Sequence, residues 1–289
     1  MTIRTCSIVG TGVVASALGP ALAASGVGVI SVVGRTETSA SRLARSLGAK
    51  SLGITDRAPG VDLIVLCVSD DAISEVAQSL RGSQPFADTI VAHTSGASRL
   101  DILEPVATRG ARVGKMHPLG SLSGGADRLK DLVWGIEGSD DVLSELSELI
   151  QRLEGWPIDL GHVDLARYHL SAVFAANFAV GLLGAAADLW MESGAQIPAM
   201  EALLPLARGV LKNVEELGLE GALTGPIARG DITAVEAQIQ EAARRGPAFE
   251  RLFRALSLAT ADVAARRGPI DDPAIAEIVR ILAENKVID

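Results

Sequence analysis

The stretch Val9-Gly10-Thr11-Gly12-Val13-Val14-Ala15 places a glycine pair between an apolar run and a helix-compatible run. The first glycine permits a tight turn. The second lets backbone approach a phosphate, which the free N–H groups of a helix N-terminus attract. Ala15 stands where a third glycine is common and spaces the helix slightly from the sheet. A glycine pair alone is a weak signal. With a strand before it, a helix after it and a second strand ending near residue 34, it predicts a dinucleotide site with Gly10, Thr11, Gly12, Val13 and Val14 against the pyrophosphate.

The end of that second strand selects the dinucleotide. An acid there would hold the ribose hydroxyls and repel a 2′-phosphate. Gly34-Arg35-Thr36 offers the reverse. A guanidinium can lie on the phosphate or stack on adenine, and Thr36, Thr38 and Ser39 can add hydroxyl donors. Glu37, past the strand end, suits the first turn of a helix. The expected cofactor is NADP.

Ligands of open α/β sheets bind beyond the carboxyl ends of the strands. Ser69 and Asp70 follow one apolar run, with Asp70 equally suited to capping a helix. His93-Thr94-Ser95-Gly96 follows the next, and His117-Pro118-Leu119-Gly120 another. Two of the four histidines thus fall at adjacent strand ends. Each reads either as a core group satisfied by backbone or as a proton carrier, for which an ordinary pKa near 6.5 suits neutral pH. His162 lies in a connection. His169 opens a long apolar run that holds Asn177, whose amide needs partners. In the loop Thr224-Gly225-Pro226-Ile227-Ala228-Arg229-Gly230-Asp231, Arg229 could clamp a substrate carboxylate or pack against Asp231. His93 and Arg229 are therefore candidate substrate contacts, and His117, His169, Ser95 and Asn177 candidate catalytic groups. No metal-ligand spacing occurs, and Cys6 and Cys67 read as buried free thiols.

The elements that must position these groups alternate. Strands are predicted over residues 6–9, 29–33, 63–68, 89–93, 112–116 and 133–137, with a short one at 157–160. Helices fall between most of them, at 13–25, 38–47, 71–80, 101–108 and 140–153. Continuous apolar strands separated by helices predict an α/β fold with a doubly wound parallel Rossmann sheet. From residue 161 only helices are expected, at 168–191, 199–217, 232–244, 248–264 and 274–285. Asp231 is placed as an N-cap, as is Asp272 ahead of Pro273. The domains are thus residues 1–160, binding NADP, and 161–289, all-helical and carrying substrate contacts and dimerisation.

The chain has 289 residues, 48% apolar and only 3% aromatic, with a net charge of −9. That charge argues against a nucleic-acid surface. Residues 168–187 are uncharged and long enough to cross a bilayer, yet they are rich in Ala and Gly. They read as a buried central helix, with a homodimer partner helping to cover it, rather than as a membrane span. The chain enters its first strand almost at once, without a signal peptide, so a cytoplasmic protein is expected.

With Gly10-Thr11-Gly12, Gly34-Arg35-Thr36, His93-Thr94-Ser95-Gly96, His117-Pro118-Leu119, Arg167-Tyr168-His169 with Asn177, and the loop from Thr224 to Asp231, the chain resembles a family of NADP-dependent oxidoreductase-like proteins. These join a Rossmann domain to a helical domain of unknown function, within the 6-phosphogluconate-dehydrogenase-like superfamily. It is also similar to pyrroline-5-carboxylate reductase, ketopantoate reductase, prephenate dehydrogenase and the deazaflavin-dependent NADP reductases. Resemblance to prephenate dehydrogenase implies substrate contacts for Ser95 and His117. The β-hydroxyacid dehydrogenases carry a lysine four residues before an asparagine on the long helix. Val173 stands there in this chain, and no lysine occurs between residues 131 and 211. The implied activity is NADP(H)-dependent hydride transfer to or from a small carbonyl, imine or hydroxy-acid compound, with ketopantoate-type and imine reduction both open. The alternative is a non-catalytic NADP-binding module that senses redox state.

Overall fold

The computed structural model describes residues 2–56, 60–80, 86, 88–123, 125–267 and 273–284. In chain order the first part runs β1 (Thr5–Val9), α1 (Val13–Ala24), β2 (Gly28–Gly34), α2 (Glu37–Leu47), β3 (Lys50–Gly53), β4 (Leu63–Leu66) and α3 (Ile73–Leu80). It continues with β5 (Ile90–His93), α4 (Glu104–Ala107), β6 (Arg112–Pro118), β7 (Val133–Gly138), α5 (Asp140–Arg152) and β8 (Trp156–Asp159). The eight strands form one sheet in the order β3-β2-β1-β4-β5-β6-β7-β8. The strand order reverses between β1 and β4, which places the ligand-binding crevice of a doubly wound sheet at their carboxyl ends.

Alternation explains why the central strands are apolar throughout. Ile8 and Val65 pack on one face with Leu18 and Leu146, while Val9 and Leu66 pack on the other with Ile73 and Leu103. Both faces are covered, so no polar alternation survives. The sheet is not wholly parallel, which corrects the sequence expectation. β7 runs antiparallel to β6, because the chain between them forms a 3₁₀ turn (Ala126–Leu129) instead of a crossover helix. β8 then pairs parallel with β7 after α5. β3 is a short edge strand that the sequence did not signal.

Beyond β8 come α6 (Leu165–Ala172), a π-helical turn (Val173–Asn177), α7 (Phe178–Glu192), α8 (Ala199–Ala222), α9 (Ile232–Arg244), α10 (Pro247–Ala265) and α11 (Pro273–Ala283). Asp164 starts α6 by accepting from the N–H groups of Ala166 and Arg167, each at 3.1 Å. Asp231 caps α9 through Ala234 N–H, as its sequence position predicts. Gly218, at φ +72° and ψ 175°, is not helical and kinks α8 just after residue 217, where the sequence reading ends this helix. The predicted cap Asp272 and the end of the last predicted helix at Asn285 lie outside the described residues.

The chain divides into two compact units, Met1–Gly181 and Leu182–Asp289. The first therefore extends past β8 to take in α6 and the π turn, beyond the boundary at residue 160 read from the sequence. In the second, Val235 and Ile239 of α9 pack on Ile278 and Leu282 of α11. Arg254 of α10 donates to the carbonyls of Ile281 and Leu282 (2.8 and 3.2 Å), satisfying groups that the end of α11 leaves open.

Candidate active site and cofactor cleft

β1 ends at Val9, and Gly10 N–H donates to Val33 O at 2.8 Å, drawing the loop against β2. Gly10 holds φ +113°, and a Cβ there would lie 2.1 Å from Cys67 O at the end of β4. Only glycine fits both demands. Gly12 caps α1 with ordinary dihedrals, and a Cβ there would meet no protein atom within 4 Å. The space before the α1 N-terminus is thus open, as an approaching phosphate requires.

That space belongs to a cleft of about 510 Å³ lined by Gly10, Thr11, Gly12, Gly34, Arg35 and Ser69, among others. Arg35 is exposed and makes no hydrogen bond or ion pair with any other described residue. Thr36 is engaged differently from the sequence reading. Its Oγ1 accepts from Ser39 N–H, while Ser39 Oγ accepts from Thr36 N–H and donates to Thr36 O at 2.7 Å. The two hydroxyls thus start α2 as a capping box, with Glu37 in its first turn. Ser69 precedes a 3₁₀ turn (Asp70–Ala72) that leads into α3, and Asp70 begins that turn without lining the cleft.

A second cleft, about 410 Å³, is lined by Val13, Val14, Thr94, His117, Ser121 and Asn177, with further apolar groups. No charged side chain lines it among the described residues. The first turn of α1 joins the two: residues 10–12 face the first cleft, and Val13 and Val14 face the second. Asn177 reaches it from the last residue of the π turn. Such a turn widens a helix locally and is frequent at functional positions.

His117 sits on β6 with its ring on Gly96, where a Cβ would fall 2.8–3.0 Å from three ring atoms. Nδ1 lies 2.9 Å from the Tyr168 hydroxyl on α6, and the rings meet edge-on. Burial, then the nearby His169 and Lys115, push the His117 pKa down to about 4, with Asp70 opposing them. The ordinary value near 6.5 expected from sequence does not hold, because desolvation and positive neighbours disfavour the charged ring. His117 is neutral at pH 7.

His93 and Ser95 do not line the clefts. His93 ends β5 wholly buried, its Nδ1 accepting from Ser95 N–H at 3.2 Å, so it is closed to a substrate. Burial and Lys115 hold its pKa down at about 4. Ser95 Oγ accepts from the N–H groups of Ala97 and Ser98 and donates to Ser98 Oγ, closing its own loop. A hydroxyl committed to three local partners forms a turn instead of a catalytic contact. His169 and His162 are exposed, and neither lines a cleft. Arg229, in the second unit, ends a 3₁₀ turn (Ile227–Arg229) without pairing with Asp231, whose carboxylate caps α9.

Two groups were missed. Lys115 of β6 is wholly buried, with Nζ 2.9 Å from Glu137 Oε2 on β7. The registers His93↔Lys115 and Lys115↔Glu137 set the three side by side across β5, β6 and β7. The signal was available, since Lys115-Met116-His117 alternates and places Lys and His on one face. Tyr168 is the other, the chain's sole tyrosine.

Residues 3–118 match a Rossmann-like domain, and residues 132–260 match a domain of unknown function, DUF2520. The chain therefore joins these two domain types. Among solved structures it is similar to a candidate NADP oxidoreductase from Bacteroides fragilis: 24% identity over 89% of this chain and 98% of that one, TM-score 0.74. A reductive aminase from Aspergillus terreus, in complex with NADPH and ethyl levulinate, aligns at 19% identity over 98% and 93%, TM-score 0.56. A pyrroline-5-carboxylate reductase from Coxiella burnetii aligns at 17% over 93% and 99%, TM-score 0.59. At these identities the likeness is one of fold. No curated protein matches the sequence.

Proposed function

We propose that the protein is an NADP(H)-dependent oxidoreductase acting on a small carbonyl, imine or hydroxy-acid compound, as a cytoplasmic homodimer. The observation that carries this reading is the glycine loop and start of α1, which put an open cleft lined by Arg35, without a hydrogen bond or ion pair among the described residues, beside a second cleft lined by His117 and Asn177. Gly10, Thr11, Gly12, Ser69 and Arg35 would hold the cofactor, and Val13 and Val14 would flank the second cleft. The bound nicotinamide would supply a hydride to the carbon of C=O or C=N, the π pair passing to the heteroatom and NADPH becoming NADP⁺. His117 and Asn177 would orient that heteroatom. The names of the reductive aminase and the pyrroline-5-carboxylate reductase support the reading by analogy of fold.

The helix from Leu165 to Glu192 is long and apolar enough to cross a membrane, yet none of its residues is fully buried within this chain. Leu170, Phe174, Phe178 and Val180 are exposed on it, as are Leu206 and Leu211 on α8. A second copy of the chain would remove that surface from water.

His117→Asn, assayed as NADPH oxidation with small ketones, imines and keto acids, should lower kcat by about 10²-fold or more. The NADPH affinity and the dimer mass seen by sedimentation should stay unchanged. Undiminished turnover would remove His117 from the site, and a monomeric wild type would remove the dimer.

A further inference from the structure

We propose that Tyr168 is a positioning residue: its hydroxyl donates to His117 Nδ1 and thereby fixes His117 as the neutral Nε2–H tautomer, a hydrogen-bond donor to the substrate heteroatom. This deepens the oxidoreductase reading and rests on it for the identity of the acceptor, but the tautomer belongs to the chain alone.

The geometry gives the direction of the bond. The phenol oxygen and Nδ1 are 2.9 Å apart, and Nδ1 is the hydroxyl's one hydrogen-bond partner among the described residues. Were Nδ1–H to donate instead, the phenol proton of a half-buried ring would be left without an acceptor. A neutral imidazole nitrogen is also the better acceptor of the two, and a phenol the better donor. With Nδ1 accepting, the one ring proton must sit on Nε2, and that nitrogen makes no hydrogen bond with any described residue. His117 itself lines the second cleft.

Burial first, and then the surrounding charges, keep the ring neutral. Lys115, two residues back on β6, shares its face and is paired with Glu137 of β7. His93 of β5 lies beside Lys115 in register. From α6 come Tyr168 and His169, and from the 3₁₀ turn after β4 comes Asp70, the acid that opposes these positive neighbours. A neutral imidazole can stabilise developing negative charge by hydrogen bonding without giving up its proton. The proton that completes a reduction then comes from water reaching the cleft.

Ring-nitrogen NMR on the cofactor-free chain tests this directly, since it carries four histidines and His117→Asn assigns the signal. His117 should show the neutral Nε2–H pattern from pH 5.5 to 8. In Tyr168→Phe, which keeps the ring, Nδ1 loses its donor and the two tautomers should mix. With an active substrate in hand, Tyr168→Phe should lower kcat about tenfold with NADPH affinity unchanged, and wild-type kcat should be flat over that pH range. An imidazolium at pH 7, an Nδ1–H tautomer, or an unaltered tautomer in Tyr168→Phe would overturn the proposal. Because the tautomer is read without cofactor, a failed enzyme assay alone would count against the redox reading and not against this one.

Discussion

Gly10→Ala should cost about 4 kcal/mol of folding stability and abolish NADPH binding. The added methyl must adopt φ +113° and would start 2.1 Å from Cys67 O, a backbone atom that cannot swing aside. A strained dihedral costs on the order of 1–3 kcal/mol and overpacking a similar amount, so the two together give the figure. Gly12→Ala is the companion. Its Cβ meets no protein atom within 4 Å and its φ is −77°, so the fold should stay within about 0.5 kcal/mol of wild type. The same methyl would occupy the space before the helix N-terminus and should weaken NADPH about tenfold or more. Urea midpoints and a fluorescence titration of both variants separate the two effects. A Gly10→Ala protein as stable as wild type, or a Gly12→Ala protein with unchanged affinity, would contradict this account of the loop.

Stability should fall steeply between pH 7.5 and 5. His93 and His117 are both held down to about 4, mainly by burial, with Lys115 adding to it in each case. In the unfolded chain each would bind a proton near pH 6.5. Between those values the unfolded state holds more protons than the folded one, so folding is favoured less as pH falls. The stabilising difference is whole above pH 6.5 and drains towards pH 4, amounting to about 2 kcal/mol per ring at pH 5. Asp62, whose carboxylate accepts from the N–H groups of Arg4 and Thr5, is likewise held below its ordinary value. Its contribution is lost only below about pH 4, outside this window. Urea midpoints at pH 7.5 and 5 measure the loss, and equal midpoints would mean that the two rings are accessible to protons.

The sheet was legible because its central strands are unbroken apolar runs bounded by turn residues, and the glycine loop because Gly10 and Gly12 fall where strand meets helix. β3 was not, since Lys50-Ser51-Leu52-Gly53 on a sheet edge has one strong apolar residue. The direction of β7 was not either, because a buried strand has the same composition whichever way it runs. At the site, His117 and Asn177 were legible and do reach one cleft. Ser95 was misread because Ser98, three residues on, offers it a local partner that motif matching ignores. His93 was misread because a strand end can be as enclosed as a strand middle. The π turn that carries Asn177 left no trace in composition.

Arg35, just past the end of β2 and lining the open cleft at the glycine loop, is expected to select NADP over NAD. Calorimetric titration of NADPH and NADH into wild type and Arg35→Ala at fixed salt tests it most directly. Wild type should bind NADPH at least about tenfold tighter than NADH, and Arg35→Ala should lose this preference while NADH affinity barely changes. Equal affinity for both in wild type, a preference that survives the substitution, or no binding of either would contradict it.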